Sequence, residues 1–214
     1  MSRCSFVFIT AKNADIKLVN RFLLTIRDWE YGEDDTWDCF SLVTSKTEPL
    51  PLDAESTKPP LQELSPTNEW EGCSLQEIEA AILARGKEED SAYGKQQGPN
   101  SLSLFLVLDD KGVEDGTVIL CQRAIDWDAE PLTYPEGFNK FRTPWTMAYL
   151  DWCNLDISNV GWSEMCDWDG ADEGKNEKDG VWWTYGNHVE ELTSEENRKK
   201  RDAVIKELEG LGQA

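Results

Sequence analysis

The chain is poor in the residues from which most metal and acid–base centres are built. Its 214 residues include one His, no C-x-x-C pair, and 21 Lys+Arg against 42 Asp+Glu. One imidazole cannot complete the usual His/Cys zinc sets, so no metal is expected. A net charge of -21 repels other polyanions, which excludes nucleic acid and anionic membrane surfaces as favoured partners. Neither G-x-G-x-x-G nor G-x-x-x-x-G-K occurs, which removes the common phosphate cradles, and no cofactor is expected. A G-x-S-x-G nucleophile elbow is missing as well. Long apolar runs are lacking too: Leu102 to Leu108 has the length of a buried strand, against about 20 residues for a membrane-spanning helix. The start of the chain, with the short apolar run Phe6 to Ile9 followed by Lys12, Asp15 and Lys17, does not read as a secretory segment. The six cysteines are scattered, so reduced thiols and a cytoplasmic setting are expected.

Tryptophan, by contrast, is abundant. The chain has ten, where ordinary usage gives about three. Indole needs burial for its rings and a partner for its N–H, so ten of them imply a large aromatic core, a ligand pocket, or both. With 39 % hydrophobic residues the chain can close one core without disulfides or metals. A single domain over 1–214 is expected, and no internal repeat is visible.

Hydrophobic patterning points to an α+β fold with a mixed central sheet and packed helices. Strands are expected near 5–10, 39–44, 102–108 and 117–125, with a shorter one at Val181-Trp182-Trp183. Ile16, Val19, Leu23 and Ile26 recur at helical spacing behind a possible cap at Asn13. Ser74 caps a second helix, for which Gly86 is a plausible stop. Five prolines between 46 and 72 forbid regular structure over most of that stretch, which reads as a Pro-rich loop or insertion. Pro144 suits the first position of a helix with Thr143 as its cap, placing Trp145, Ala148, Tyr149 and Trp152 on one face. A charged helix closes the chain over 193–212, opening on Thr193-Ser194-Glu195-Glu196 with capping-box spacing.

The acidic, Trp-rich C-terminal half concentrates the unusual chemistry. From Asp126 to Trp183 lie seven of the ten Trp, with thirteen Asp/Glu against four Lys/Arg. Within it, Phe141-Arg142 is followed by Trp145, then by the run Asn154-Leu155-Asp156-Ile157-Ser158-Asn159-Val160-Gly161-Trp162, then by Asp179-Gly180-Val181-Trp182. This series resembles a family of uncharacterised domains shared by bacteria and fungi. The resemblance implies a mixed α and β fold and supplies no catalytic residue. Physically, Asn154 and Asn159 suit a turn, with Leu155, Ile157, Val160 and Trp162 packing inward.

Three constellations could carry chemistry. His188 lies near Glu190 and Glu191, whose charge could raise its pKa and make it a base; a surface histidine in an acidic loop is the blander reading. The run from Asp167 has Ala171, Asp172 and Lys178 where a calcium loop of EF-hand type needs an oxygen ligand, Gly and Glu, so a solvated acidic loop is favoured over a metal site. Asp126-Trp127-Asp128 and Asp151-Trp152 alternate acid and indole, as half-buried elements do, but could also build an aromatic-acid pocket. Trp127, Trp145, Trp152 and Trp162 are its candidate walls, and Asp126, Asp128 and Asp151 its candidate acids. The favoured function is an acidic binding protein that meets a basic protein or a cationic small molecule. The alternative is a small cofactor-independent enzyme using such a pocket on an organic substrate, cationic ones included.

Overall fold

Alternation along the strands sorts the core into two layers, one on each face of a single sheet. The computed structural model describes residues 4–32, 37–51, 54–64, 67–93, 102–126, 128–130, 133, 137–166, 180–183 and 191–214, with 88–93 and 182–183 by backbone alone. In β1 (Ser5–Ile9), Val7 and Ile9 face one way and Phe6 and Phe8 the other; β3 (Leu104–Leu108) repeats the pattern with Leu104, Leu106 and Leu108 against Phe105 and Val107. Apolar side chains on both faces demand cover on both. Helix α1 (Ile16–Thr25) covers the first face through Val19, Phe22 and Leu23. Helix α2 (Leu75–Tyr93) covers the second through Leu75, Ile78 and Ile82.

The sheet has six strands in the order β2-β1-β3-β4-β5-β6. Strands β2 (Phe40–Leu42), β1 and β3 run parallel, β4 (Thr117–Arg123) is antiparallel to both neighbours, and β5 (Phe138–Pro144) is parallel to β6 (Val181–Trp183). The protein is therefore an α+β domain with a mixed sheet. The β3–β4 connection holds the short helix α3 (Asp110–Asp115), whose N-cap Asp109 accepts the Gly112 N–H at 2.7 Å. A side chain at Gly112 would meet the Thr117 carbonyl at 2.4 Å, so only glycine fits this close approach. The Pro-rich loop covers the β2 edge: Thr57 donates its N–H to the Phe40 carbonyl, and its hydroxyl accepts the Leu42 N–H, both at 2.8 Å. Among the described residues no helix is long and apolar enough to cross a membrane.

Several boundaries differ from the sequence reading, each for a local reason. The α1 cap is Asp15, whose carboxylate accepts the Leu18 N–H at 2.9 Å, and not Asn13. Helix α2 runs through Gly86, because packing through Ile78 and Ile82 offsets glycine's cost of about 1 kcal/mol in a helix. Residues 143 and 144 end β5 and do not open a helix. The Thr143 hydroxyl donates to Asp151 at 2.5 Å and is not free to cap; a 3₁₀ turn (Trp145–Met147) leads instead into α4 (Ala148–Asp156). Ile157 is 64 % exposed, because α4 ends there and Ser158 turns the chain outward at φ 55°; α5 (Trp162–Met165) follows. The last helix, α6 (Glu195–Gly210), is capped by Ser194 and turns at Gly212, φ 71°.

Candidate functional site

The three candidate carboxylates are held by two separate parts of the fold. Asp126 is exposed beyond the end of β4; its carboxylate accepts the Asp128 N–H at 3.1 Å, and its backbone bridges to Thr133. Asp128 is exposed beside it. Asp151 is 6 % exposed on α4, over Thr143. Thr143 pairs with Val118, whereas Asp126 lies past Arg123, which pairs with Phe138 at the other end of the ladder. Five residues of strand separate those ends by about 17 Å, so Asp151 does not join the other two. Burial pushes the Asp151 carboxyl up to about 6 against the lowering effect of the Thr143 hydroxyl. Trp127, His188 and the acidic run 167–179 lie outside the described residues.

The tryptophans separate in the same way. Trp152 belongs to the core: it is 3 % exposed, donates its indole N–H to the Ser5 hydroxyl at 2.6 Å and packs edge-on against Phe40. Trp145 donates to the Thr117 carbonyl at 2.7 Å, stands against Phe22 and borders an open groove of about 670 Å³ between α1 and α6. The groove mixes both signs of charge, including Lys17, Arg21, Glu114 and Asp202. Trp162 borders a second cavity, about 480 Å³, together with Arg123, Asn139 and Ser158. There the Asn154-to-Trp162 run makes a corner in which Asn159 donates to the Asn154 side-chain oxygen at 2.8 Å.

A third cavity was not anticipated. It measures about 180 Å³ and is lined by Asp28, Trp29, Glu30, Tyr31 and Tyr149, among others. Asp28 is 3 % exposed; its carboxylate accepts the Tyr31 N–H at 2.9 Å and faces the Tyr149 phenol across the cavity wall. Burial first, and then the neighbouring Asp28 carboxylate, push the Tyr149 phenol's pKa up, so it stays protonated. Gly32 closes the turn, since a side chain there would meet the Asp28 carbonyl at 2.3 Å. The signal was available: Asp28-Trp29-Glu30-Tyr31 alternates acid and aromatic as Asp126-Trp127-Asp128 does. It is hidden by its place at the end of a helix, where both residue types have ordinary reasons to occur.

No nucleophile stands out beside these groups. No disulfide joins the six cysteines; burial pushes the Cys39 thiol up to about 12, with Asp28 and Cys4 adding to it, and burial pushes Cys166 up to about 12. Among the described residues no group of three His, Cys, Asp or Glu side chains is placed to hold a metal ion. Comparison with family models, with curated proteins and with solved structures gives no match for this chain.

Proposed function

We propose that this chain is a binding protein whose acidic surface receives a basic protein partner. The observation that carries the reading is how the basic side chains are used. Arg27, Lys140, Arg142 and Arg201 are tied, largely out of water, to Asp38, Glu79, Asp109 and Glu191. Arg21, Lys46, Lys199 and Lys200 lie against Glu209, Glu77, Glu195 and Glu196. Meanwhile Glu48, Glu55, Glu63, Glu71 and Glu114 stand exposed with no basic partner among the described residues. Lys12, Lys17, Lys58 and Lys206 are exposed without an acidic partner among the described residues as well, so pairing is partial, but 42 Asp+Glu against 21 Lys+Arg leave a surplus of negative charge that steers a positive partner. Six cysteines outside any disulfide suit a reducing, cytoplasmic setting. The resemblance of residues 141–183 to uncharacterised bacterial and fungal domains is kept as a proposal of kinship and adds no activity.

An enzyme built on Asp126, Asp128 and Asp151 gains no support from the cavities, since none of the three described above is lined by any of them. The test of the binding reading is a titration with octa-lysine and octa-arginine peptides, run beside an unrelated protein of equal size and net charge. Affinity about tenfold tighter than the control at 0.15 M salt, falling steeply as salt rises, is the expected result. Affinity no better than the control overturns it.

A further inference from the structure

We infer that the cavity over Asp28 is a seat for an organic cation, an alkylammonium or guanidinium group of side-chain size. A carboxylate taken out of water is costly unless charge or hydrogen bonds replace the water. The Asp28 carboxylate accepts the Tyr31 N–H at 2.9 Å, with the Tyr149 phenol beside it, and among the described residues no Lys or Arg pairs with it. An ionised carboxylate offers about four acceptor sites, so capacity remains on the group that lines the cavity.

The other charged walls reinforce this sign. Arg27 also borders the cavity, but its guanidinium bonds Asp38 at 2.6 and 3.3 Å and stacks over Trp37 at 5.4 Å. Glu30, on another wall, accepts the Ser194 N–H at 2.9 Å and the Asn197 amide at 3.1 Å, and these bonds, the first above all, hold its carboxyl below the ordinary range. Negative charge therefore exceeds positive around the space.

Its shape selects the class of cation. About 180 Å³ holds the liquid volume of about six waters, below the range of about 300–1,000 Å³ that drug-sized ligands occupy. Trp29, Tyr31 and Tyr149 supply aromatic surface, which attracts cations through the ring quadrupole. At the mouth, Tyr31 is 78 % and Leu192 62 % exposed, apolar surface suited to the methylenes of a Lys or Arg stem. This inference stands apart from the surface reading above: an outward field needs no cavity, and a cavity of this kind needs no protein partner.

The experiment titrates the full chain with n-butylammonium and n-butylguanidinium, with n-butanol as the neutral control, following backbone amide NMR shifts of residues 28–32. Saturable shifts for both cations and none for butanol are expected. Asp28→Asn should weaken binding about tenfold or more, and Tyr31→Ala, which removes an exposed ring, about threefold without loss of folding. Absence of saturation, butanol binding as well as the cations, or unchanged affinity in Tyr31→Ala together with a folded Asp28→Asn overturns the site. If Asp28→Asn does not fold, Tyr31→Ala decides alone. Competition distinguishes the sources: displacement of bound octa-lysine by n-butylammonium assigns the seat to a protein side chain, and co-binding assigns it to a free amine. Octa-lysine affinity unchanged in Asp28→Asn while butylammonium binding is lost supports the cavity and separates it from the acidic surface.

Discussion

On one face of β5, Lys140 reaches Glu79 at 2.6 Å and Arg142, fully buried, grips Asp109 through two bonds of 2.8 and 2.9 Å. On the other face Thr143 donates its hydroxyl to Asp151, and among the described residues no basic group pairs with that carboxylate. Two aspartates beside the same strand thus part in opposite directions. Burial raises Asp109, but the Arg142 hydrogen bond and charge and the Gly112 N–H outweigh it and hold Asp109 below its ordinary range. Burial at Asp151 meets only a neutral hydroxyl, and the carboxyl rises to about 6. The difference shows that burial sets the cost of a carboxylate and its partner decides whether that cost is met.

Breaking the paired side should have the largest effect. Arg142→Met leaves Asp109 without its cation and should lower unfolding free energy by about 3–5 kcal/mol, read by urea denaturation at pH 7.5. A loss below 1 kcal/mol would show that the pair is not the anchor of β5.

The unpaired side should respond with the opposite sign. Because the Asp151 carboxyl is raised in the folded state, its contribution is present below the unfolded value near 3.8 and is lost as pH rises through about 6. Asp151→Asn keeps an acceptor for Thr143 and should be about 2–3 kcal/mol more stable than the parent at pH 7.5, by the shift of about two pH units. The gap should close between pH 6 and 4. A gap independent of pH would mean that the substitution acts through packing instead. Asp109, held low, contributes in the reverse sense: its stabilisation is present above about pH 4 and is lost only as pH falls further.

The smallest effect belongs to the surface pairs. Lys199 and Glu195, 75 % and 72 % exposed one helical turn apart on α6, resemble the buried pairs only in distance. Lys199→Ala should change stability by no more than about 0.5 kcal/mol, and a larger loss would break the contrast between wet and dry ion pairs.

Strands β1, β3 and β4 were legible because their apolar residues are consecutive and buried on both faces, a pattern written into neighbours along the chain. Helix α1 and the Ser74 cap of α2 were legible for a similar reason, the cap through its exchange of bonds with Glu77. Strand β5 was not. Phe138-Asn139-Lys140-Phe141-Arg142-Thr143-Pro144 is a polar stretch that becomes a strand because Glu79, Asp109 and Asp151 wait for it from other elements. The candidate site divides in the same manner. The alternation of acid and indole was readable, but which copy of it would be buried around a cavity was not. Asp126 ended exposed and Asp28 ended 3 % exposed.

By itself, then, the sequence determined the sign of the protein's own net charge, its α+β class and the strands of its sheet centre, because charge and local periodicity are properties of composition and of neighbouring residues. Tertiary structure alone decided which charges are paired and which carboxylate lines an aromatic cavity. Both depend on the approach of groups far apart in the chain, such as Lys140 to Glu79 and Tyr149 to Asp28, and on the water that their meeting removes.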